Sequence, residues 1–407
     1  MEPRVKAGGE VKPGDVLGEG KDGARIVSPV RGTVRNVGPA PGLRGERDAL
    51  RVTIEPGGTE EGAEEGPFPP LAPEVAEVSL VRERIREAGI WTCAPRPRPL
   101  LDVLASAGGG TPEAVILSAL DREPGLSVQA RLLEDRAGDC AAALLLLQRL
   151  SGAKQAFLAL PEEKAGGAGE RLSLPSGAVL PVPSRYPEAL PPLLALRAGP
   201  SGRVPVIALE CGLAALDAVR DGRPQAAKLV TVLGAEGRPR GLVRVPLGAF
   251  LSHLLPALGT EPGEGDKVVA GGFFQGFSVY TLDTAVDTGV DAVGVIPAGT
   301  VEDWSTDPCI NCGACIEACP VNLQVQLITR YAEFSFFDRA EELGLFRCME
   351  CGLCALACTA RRPLMHFIRL AKEERLRARD EAASAAAGDG DAGGAGEAPG
   401  EAPAPTA

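Results

Sequence analysis

Eight of the eleven cysteines in this chain fall into two runs that share one spacing, C-x2-C-x2-C-x3-C. The first run extends from Cys309 to Cys319 and the second from Cys348 to Cys358. This spacing is tight enough for a single loop to wrap several thiolates around one metal group, for which thiolates are soft ligands. Gly313 and Gly352 lie inside the two loops, where a residue without Cβ permits a sharp bend. The runs therefore predict two metal-binding loops.

The spacing is typical of bacterial ferredoxins with two [4Fe–4S] clusters, in which the fourth cysteine of each run ligates the other cluster. Each predicted ligand set thus combines three cysteines of one run with the last cysteine of the other. The two sets are Cys309, Cys312, Cys315 and Cys358, and Cys348, Cys351, Cys354 and Cys319. The alternatives are a pair of zinc sites or a disulfide framework. Zinc motifs usually pair two short CxxC steps across a long gap, which favours iron–sulfur clusters here.

Composition limits the remaining classes of function. A chain of 407 residues is expected to form two to four domains, and its net charge of −12 argues against nucleic acid as the main partner. No run of eighteen apolar residues and no signal peptide is recognisable. Thiols that ligate clusters need a reducing compartment, so we expect a cytoplasmic protein. Cys93, Cys140 and Cys211 lie outside the runs and are expected to be small buried hydrophobic residues.

The first 77 residues predict a small β module and a linker. In residues 1–58, short apolar runs are separated by Gly, Pro and Asp, as in strands joined by tight turns. Their order resembles the biotinyl/lipoyl barrel-sandwich family, without a recognisable carrier lysine motif, so a structural module is expected. Residues 59–77 are rich in Gly, Glu and Pro and predict a linker.

Residues 78–225 predict an α/β domain, because apolar runs of strand length alternate with helical patterns. This rhythm indicates a mostly parallel sheet with helices on its faces. Ligands of such sheets lie beyond the carboxyl ends of the strands, which directs attention to charged residues at those places. These are Asp121, Arg122, Glu123, Glu162, Glu163 and Glu210. They are candidates to bind ribose hydroxyls or a flavin, and the alternative is that they are solvated loop residues.

Three segments follow. Residues 226–300 predict a small α+β module of β-grasp type, and residues 301–380 contain the cysteine runs. Two helices rich in aromatic residues are expected between the runs, either as an apolar coat that limits water at the clusters or as a surface for a partner. A helix with interleaved basic and acidic residues is expected from Pro363 to about Arg379, with its charges in solvent. Residues 381–407 lack an apolar period and predict a disordered tail.

The order of these parts, from about residue 5 to residue 372, resembles RnfC, the C subunit of the Rnf ion-translocating electron-transport complex. Its central region also resembles NqrA, the A subunit of the sodium-translocating NADH:quinone reductase. The phrases that carry the resemblance include Ser118–Pro124, Leu229–Gly234 and Gly265–Gly272. It implies a barrel-sandwich module, a Rossmann-like α/β domain related to the NADH- and FMN-binding subunit of complex I, an SLBB β-grasp domain and a dicluster ferredoxin-type domain.

One loop departs from the RnfC pattern. RnfC has a glycine-rich loop whose amides approach a phosphate, whereas Gly89–Pro99 here has no glycine cluster and several prolines without amide donors. This loop resembles NqrA instead. The resemblance implies FMN and NADH as cofactors, with Asp121 and Glu123 facing them. Independently of the resemblance, Arg96 and Arg98 are candidates to grip an anionic group. The altered loop argues against tight binding of either cofactor.

Three hypotheses follow from the sequence. In the first, the protein is a peripheral subunit of an Rnf/Nqr-like complex at the inner face of the plasma membrane. It relays electrons through two [4Fe–4S] clusters between a soluble carrier, NADH or ferredoxin, and integral membrane subunits, and it is not a self-sufficient NADH dehydrogenase. In the second, the chain itself oxidises NADH through FMN. In the third, it is a soluble iron–sulfur adaptor that docks electron carriers.

Overall fold

The computed structural model divides the chain into two compact units, an N-terminal unit of residues 1–301 and a C-terminal unit of residues 302–407. In the last helix, side chains are described as far as residue 382. The ranges that the structure describes are 1–20, 22–40, 42, 49–58, 66–105, 110–199, 204–300 and 303–388.

The N-terminal unit begins with two small antiparallel sheets, ordered β1-β3-β4 and β2-β5-β6. The strands are β1 Glu2–Pro3, β2 Glu10–Val11, β3 Val16–Glu19, β4 Arg25–Val27, β5 Gly32–Pro39 and β6 Leu50–Pro56. Val11, Leu17 and Val34 are buried together and so join strands of both sheets. Two sheets around one apolar cluster suit the predicted barrel-sandwich type, which stays a prediction.

The next part is an α/β domain around a four-stranded sheet in which every pairing is parallel, in the order β10-β7-β8-β9. The predicted parallel sheet is therefore confirmed. Its strands are β7 Ala114–Ser118, β8 Gln155–Pro161, β9 Val179–Val182 and β10 Val206–Ala208. Its helices are α1 Val78–Glu87, α2 Leu100–Ala105, α3 Val128–Asp135, α4 Cys140–Ser151, α5 Glu162–Ala165, α6 Ala168–Arg171, α7 Pro191–Ala198 and α8 Leu209–Arg220, with a 3-10 turn at Ala137–Asp139.

The core of this domain forms where α4 and α8 pack on the sheet. Leu117 of β7, Leu144 and Leu147 of α4, and Leu216 of α8 are fully buried in one apolar cluster. All three cysteines outside the runs are buried, as expected. Burial raises the pKa of Cys211 to about 12, which keeps its thiol protonated and unreactive near neutral pH.

Residues 66–77, predicted as part of a linker, belong to the folded body. The amides of Phe68 and Leu71 donate to the carbonyls of Gly222 and Val219 at 3.3 and 2.8 Å. The Phe68 ring also lies 5.4 Å from the guanidinium of Arg84. Composition alone missed these contacts because Phe68 and Leu71 are isolated apolar residues among prolines and glutamates. The first part of the predicted linker, residues 59–65, lies outside the described residues.

The last part of the N-terminal unit is a mixed five-stranded sheet, ordered β12-β11-β15-β13-β14, in which β11 and β15 are parallel. Its elements are β11 Ala227–Leu233, β12 Pro239–Pro246, α9 Leu251–Ala257, β13 Lys267–Ala270, β14 Phe277–Ser278 and β15 Ala292–Ile296, with a 3-10 turn at Ala298–Thr300. Val230, Leu255 and Val293 are buried together under α9. Strands β11 and β12 pair antiparallel, and the β-grasp (SLBB) type stays a prediction.

The C-terminal unit is helical in the residues that the structure describes. Its helices are α10 Ala314–Glu317, α11 Val325–Glu333, α12 Phe337–Glu342, α13 Leu353–Leu356 and α14 Leu364–Gly388, with a 3-10 turn at Leu345–Arg347. The two helices predicted between the cysteine runs are therefore present as α11 and α12. Ile328 of α11, Ala340 of α12 and Ile368 of α14 are buried in one core that also contains Cys315 and Cys354.

Helix α14 extends further than the sequence predicted. A disordered tail was expected from Glu381, but the helix continues to Gly388, so this boundary is wrong. The reason is local composition: the segment from Ala382 to Ala387 is almost entirely alanine, the strongest helix former, and glycine follows it. Residues 389–407 lie outside the described residues. Nowhere in the described ranges is there a helix with the length and apolar character needed to span a bilayer.

Candidate metal centre

The two cysteine runs adopt the same local conformation. In the first run Asn311 and Gly313 have φ angles of 54° and 82°, and in the second Glu350 and Gly352 have φ angles of 56° and 77°. Each glycine starts a one-turn helix, α10 or α13, that carries the third cysteine of its run. Left-handed residues at alternating positions turn the chain sharply. The equal spacing of the runs is thus matched by equal loops.

Cysteines of both runs line one cavity of about 350 Å³. They are Cys309, Cys312 and Cys315 of the first run and Cys358, the last cysteine of the second. Burial, followed by the charges of Cys309, Cys358 and Cys312, raises the pKa of Cys315. Cys319, the last cysteine of the first run, is not among the residues lining this cavity. We call Cys309, Cys312, Cys315 and Cys358 the exposed set, because Cys312 lies at the surface.

The other four cysteines of the two runs lie together more deeply, and we call them the buried set. They are Cys319, Cys348, Cys351 and Cys354. Burial raises the pKa of Cys354 to about 12, and the charges of Cys348, Cys351 and Cys319 add to this effect. Cys319 likewise raises the pKa of Cys351, after burial. The structure therefore groups Cys319 with the second run and Cys358 with the first.

The donor chemistry fits iron–sulfur clusters better than zinc. A structural zinc ion needs its ligands around one point, at Zn–S distances of about 2.3 Å. Among the described residues, no three His, Cys, Asp or Glu side chains are gathered closely enough to hold a single metal ion. The four thiols are instead among the residues that line a cavity of about 350 Å³, which suits a larger group with a different corner for each thiol.

The apolar segment between the runs covers the site only in part. Ile328 and Leu345 are buried, whereas Phe334 and Phe336 are 61% and 60% exposed. Phe334 lines the cavity of the exposed set together with Ile310, which is 65% exposed. The predicted coat therefore shields the interior of the unit but leaves apolar side chains in solvent at the mouth of the cavity.

Hydrogen bonds to the sulfur atoms differ between the two sets. In the buried set, the amides of Leu323 and Glu350 each donate to a sulfur at 3.4 Å, the first to Cys319 and the second to Cys348. In the exposed set, the Ala314 amide and then the Thr359 hydroxyl lower the pKa of Cys312. Thr359 occupies the place that Pro320 has after the first run, and its hydroxyl lies 3.7 Å from Cys312 Sγ. Such bonds are one means of setting a cluster potential.

A buried group of charges holds the second cysteine loop against α14. The Glu350 carboxylate accepts hydrogen bonds from Lys372 Nζ at 2.8 Å and Arg369 Nε at 3.1 Å. Lys372 Nζ also donates to the carbonyl of Cys348 at 2.6 Å. Lys372 and Glu350 are buried, so the prediction that the charges of this helix are solvated is wrong at Lys372. The sequence signal was its position on the apolar face of α14, one turn beyond Ile368.

Asp121 and Glu123, the predicted nucleotide-facing acids, bind backbone amides of the protein. The Asp121 carboxylate accepts from the amides of Gln129 and Ala130 at 2.9 and 3.2 Å, so it caps the start of α3. Glu123 Oε2 accepts from the amides of Phe274 and Gln275, both at 2.9 Å. Both side chains therefore connect segments within the N-terminal unit in this arrangement.

The loop that binds Glu123 covers the end of strand β7. Gly272 has a φ of 120°, and a Cβ there would lie only 1.2 Å from Glu123 Oε1. Since ligands of parallel sheets bind at the carboxyl ends of strands, the loop lies where a nucleotide would be expected. Asp121 and Glu123 do not fit the role of ligands to FMN or NADH here, because their oxygens face amides and a packed glycine.

Arg96 and Arg98 lie in a different setting. Both are exposed in the loop that follows Trp91. The loop is closed by hydrogen bonds between Thr92 and Arg98, and the charge of Arg98 acts on Asp102 of α2. The role of these arginines in anion binding, and the likeness of their loop to NqrA, stay predictions.

Glu123 is expected to make the stability of the N-terminal unit depend on pH. Burial raises its pKa from 4.5 to about 7. The folded protein thus holds this proton more tightly than the unfolded chain, so Glu123 reduces stability as the pH rises from 4.5 through 7. Wild type should lose up to about 3 kcal/mol more than Glu123→Gln between pH 5 and pH 8. Urea unfolding followed by circular dichroism measures this difference. Glu162→Gln, at an exposed carboxylate, should behave as wild type; equal losses in Glu123→Gln and wild type would contradict the prediction.

A buried network of ion pairs that the sequence did not reveal joins the α/β domain to the five-stranded sheet. Asp291 Oδ1 lies 2.8 Å from Lys228 Nζ, and Asp291 Oδ2 lies 3.2 Å from Arg122 Nε. Glu210, predicted as a strand-end acid, accepts from the amide of Leu229 at 2.7 Å. The Lys228 side chain is 0% exposed. Arg122 and Lys228 lower the pKa of Asp291, although burial alone would raise it.

Comparison with known proteins agrees with this site. Residues 304–359, which include all eight cysteines of the two runs, match the 4Fe-4S dicluster domain model. The C subunit of the proton-translocating ferredoxin:NAD(+) oxidoreductase complex from Clostridium ljungdahlii is 27% identical over 91% of this chain and 84% of its own length. The C subunits of ion-translocating oxidoreductase complexes are similar too. The one from Rhodobacter capsulatus is 27% identical over 91% of this chain and 75% of its own. The one from Methanosarcina acetivorans is 29% identical over 94% of this chain and 91% of its own length.

Solved structures add little. An NAD+-reducing [NiFe]-hydrogenase in the H2-reduced state matches 72% of this chain and 62% of its own, with 17% identity and a TM-score of 0.47. No property of that protein is carried over. The relatives reported above, which match over 75–91% of their own length, and the matched dicluster domain instead agree with the paired cysteine loops. The chain is therefore a homologue of the C subunits of ion-translocating oxidoreductase complexes, and it carries a 4Fe-4S dicluster domain.

Proposed function

We propose that this chain is a peripheral electron-transfer subunit of an ion-translocating oxidoreductase and relays electrons through two [4Fe–4S] clusters. The observation that carries the proposal is the cavity lined by three cysteines of one run and the last cysteine of the other. This interleaving is the ligand pattern of paired clusters in bacterial ferredoxins. The names of the full-length relatives, which are subunits of such complexes, support the assignment.

The two cysteine sets have different tasks in this proposal. A [4Fe–4S] cluster accepts and donates one electron at a time. Cys312 of the exposed set lies at the surface beside Ile310 and Phe334, so this set is the one that an external carrier reaches. Cys351 and Cys354 of the buried set are buried, so a cluster held by this set would accept the electron inside the unit, away from solvent.

The partners in this proposal are integral membrane subunits and a soluble carrier, with ferredoxin favoured over NADH as the direct partner of this chain. The relatives are named for ferredoxin and NAD(+), or for ion translocation alone. The commitment of Asp121 and Glu123 to backbone amides disfavours the alternative in which this chain oxidises NADH through FMN. We place the protein at the inner face of the plasma membrane, where thiolate ligands stay reduced.

Anaerobic purification of the full chain tests the proposal. We expect eight iron and eight sulfide per chain, because two [4Fe–4S] clusters contain about that number, no bound flavin, and no bleaching of the cluster absorbance by NADH. Reduced ferredoxin should bleach it. From native membranes, the protein should co-purify with integral subunits. Flavin that is reduced by NADH would support the dehydrogenase alternative, and clusters without any membrane partner would support the adaptor.

A further inference from the structure

The two cysteine loops share one backbone conformation but differ in the charges around one position. The second residue after the first cysteine is Asn311 in one loop and Glu350 in the other, and both have positive φ. Asn311 is neutral and exposed, whereas Glu350 is buried and bonded to Lys372 and Arg369. Glu350, Lys372 and Arg369 thus form a group of charges beside the second loop, at the position where the first loop has a neutral residue.

The position of Lys372 makes it the decisive member of this group. Its ammonium is buried and donates to the carbonyl of Cys348, a cysteine of the buried set, at 2.6 Å. The amide of its partner Glu350 donates to the sulfur of the same cysteine at 3.4 Å. Lys372 therefore acts electrostatically on a sulfur of this set, through an interior where charges are poorly screened.

We infer that Lys372, which shares the Glu350 carboxylate with Arg369, raises the reduction potential of the cluster held by the buried set. This inference rests on the proposed function, because it requires that set to hold a cluster. Reduction adds one electron and one negative charge. A fixed cation nearby stabilises the reduced form more than the oxidised form, and burial acts in the opposite direction. Lys372 is thus a positioning residue that keeps a water-excluded cluster reducible.

Two substitutions should shift this potential in opposite directions. Lys372→Met removes the cation with little change of volume and should lower the ratio of reduced to oxidised buried cluster at a fixed potential by roughly tenfold, or about 59 mV for one electron. Glu350→Gln removes the negative charge and should raise the same ratio. Lys372→Arg, which keeps the charge, should stay close to wild type. If Lys372 and Glu350 contributed only to packing, Lys372→Met and Glu350→Gln would not shift the reduction potential in opposite directions.

Potentiometric titration of the full chain by electron paramagnetic resonance measures both clusters. The signal that survives in Cys358→Ala identifies the buried set. Arg377→Gln is the matched control, since Arg377 lies on the same helix, is half exposed and pairs with Glu374. We expect the exposed cluster to titrate unchanged in every variant, and Arg377→Gln to shift neither.

The outcomes separate the two proposals. Two clusters whose midpoints are the same in wild type, Lys372→Met and Glu350→Gln would overturn this inference and leave the relay intact. Wild-type protein without a buried cluster would overturn both. If Lys372→Met loses the cluster through misfolding, Glu350→Gln decides alone: a rise in midpoint supports the inference and no rise rejects it.

Discussion

Replacing Cys358 with alanine is expected to remove the cluster of the exposed set and leave that of the buried set, although Cys358 belongs to the second run. The reason is spatial: Cys358 lines the same cavity as Cys309, Cys312 and Cys315. Cys319→Ala should instead remove the cluster of the buried set and leave that of the exposed set. The reason is that Cys319 lies close enough to Cys351 and Cys354 for its charge to raise the pKa of both thiols. Each variant should retain about half of the iron and sulfide, since each removes one ligand from one set only.

Iron and sulfide analysis with paramagnetic resonance checks this result. The control is Cys140→Ala, which removes a buried cysteine outside the runs and should leave the iron content unchanged. Distinct signals should survive in Cys358→Ala and Cys319→Ala. If instead Cys358→Ala and Cys351→Ala lose the same signal, each run binds its own cluster and the interleaved assignment is wrong.

Asp291→Asn is expected to destabilise the N-terminal unit by about 3–5 kcal/mol. Asp291 pairs with both Lys228 and Arg122, and all three side chains are buried. The substitution keeps the shape of the side chain but leaves the buried Arg122 without this carboxylate and Lys228 with Glu210 alone, at 3.6 Å. Such charges cannot be rehydrated while the fold is intact, so the cost is far larger than that of losing a surface ion pair.

Urea unfolding followed by circular dichroism measures this loss, and the cluster absorbance of the same samples reports on the C-terminal unit. The matched control is Arg131→Gln, which breaks the exposed pair with Asp135 and should cost less than about 1 kcal/mol. A loss in Asp291→Asn no larger than in Arg131→Gln would show that the network contributes little to stability.

The sequence predicted those features that follow a local rule. The cysteine spacing predicted the metal-binding loops. The alternation of apolar runs with helical patterns predicted the parallel sheet around β7. Helix α3 was missed, since its start is capped by Asp121 from seven residues away and not by an adjacent residue. The continuation of α14 past Glu381 was missed because the alanine-rich segment was interpreted as low complexity, although alanine favours helix.

The remaining failures involve partners distant in sequence. Glu123 looked like a ligand-facing acid because it follows a strand, but its partners at residues 274 and 275 could not be foreseen from that pattern. Lys228 occupies an inward-facing position of β11, and Lys372 lies on the apolar face of α14. A lysine at such a position signals a buried ion pair, but its partner, Asp291 or Glu350, becomes known only from the fold.

The shared cavity also limits how this part of the protein can be rearranged. Because its walls come from both runs, the intervening residues 320–347 form a closed loop between two halves that complete each other. In the proposed interleaved assignment, neither half could be transplanted, duplicated or cut away as a one-cluster module without leaving an open ligand position. Gene fusions and truncations should therefore respect the outer borders of the two runs and never fall between them.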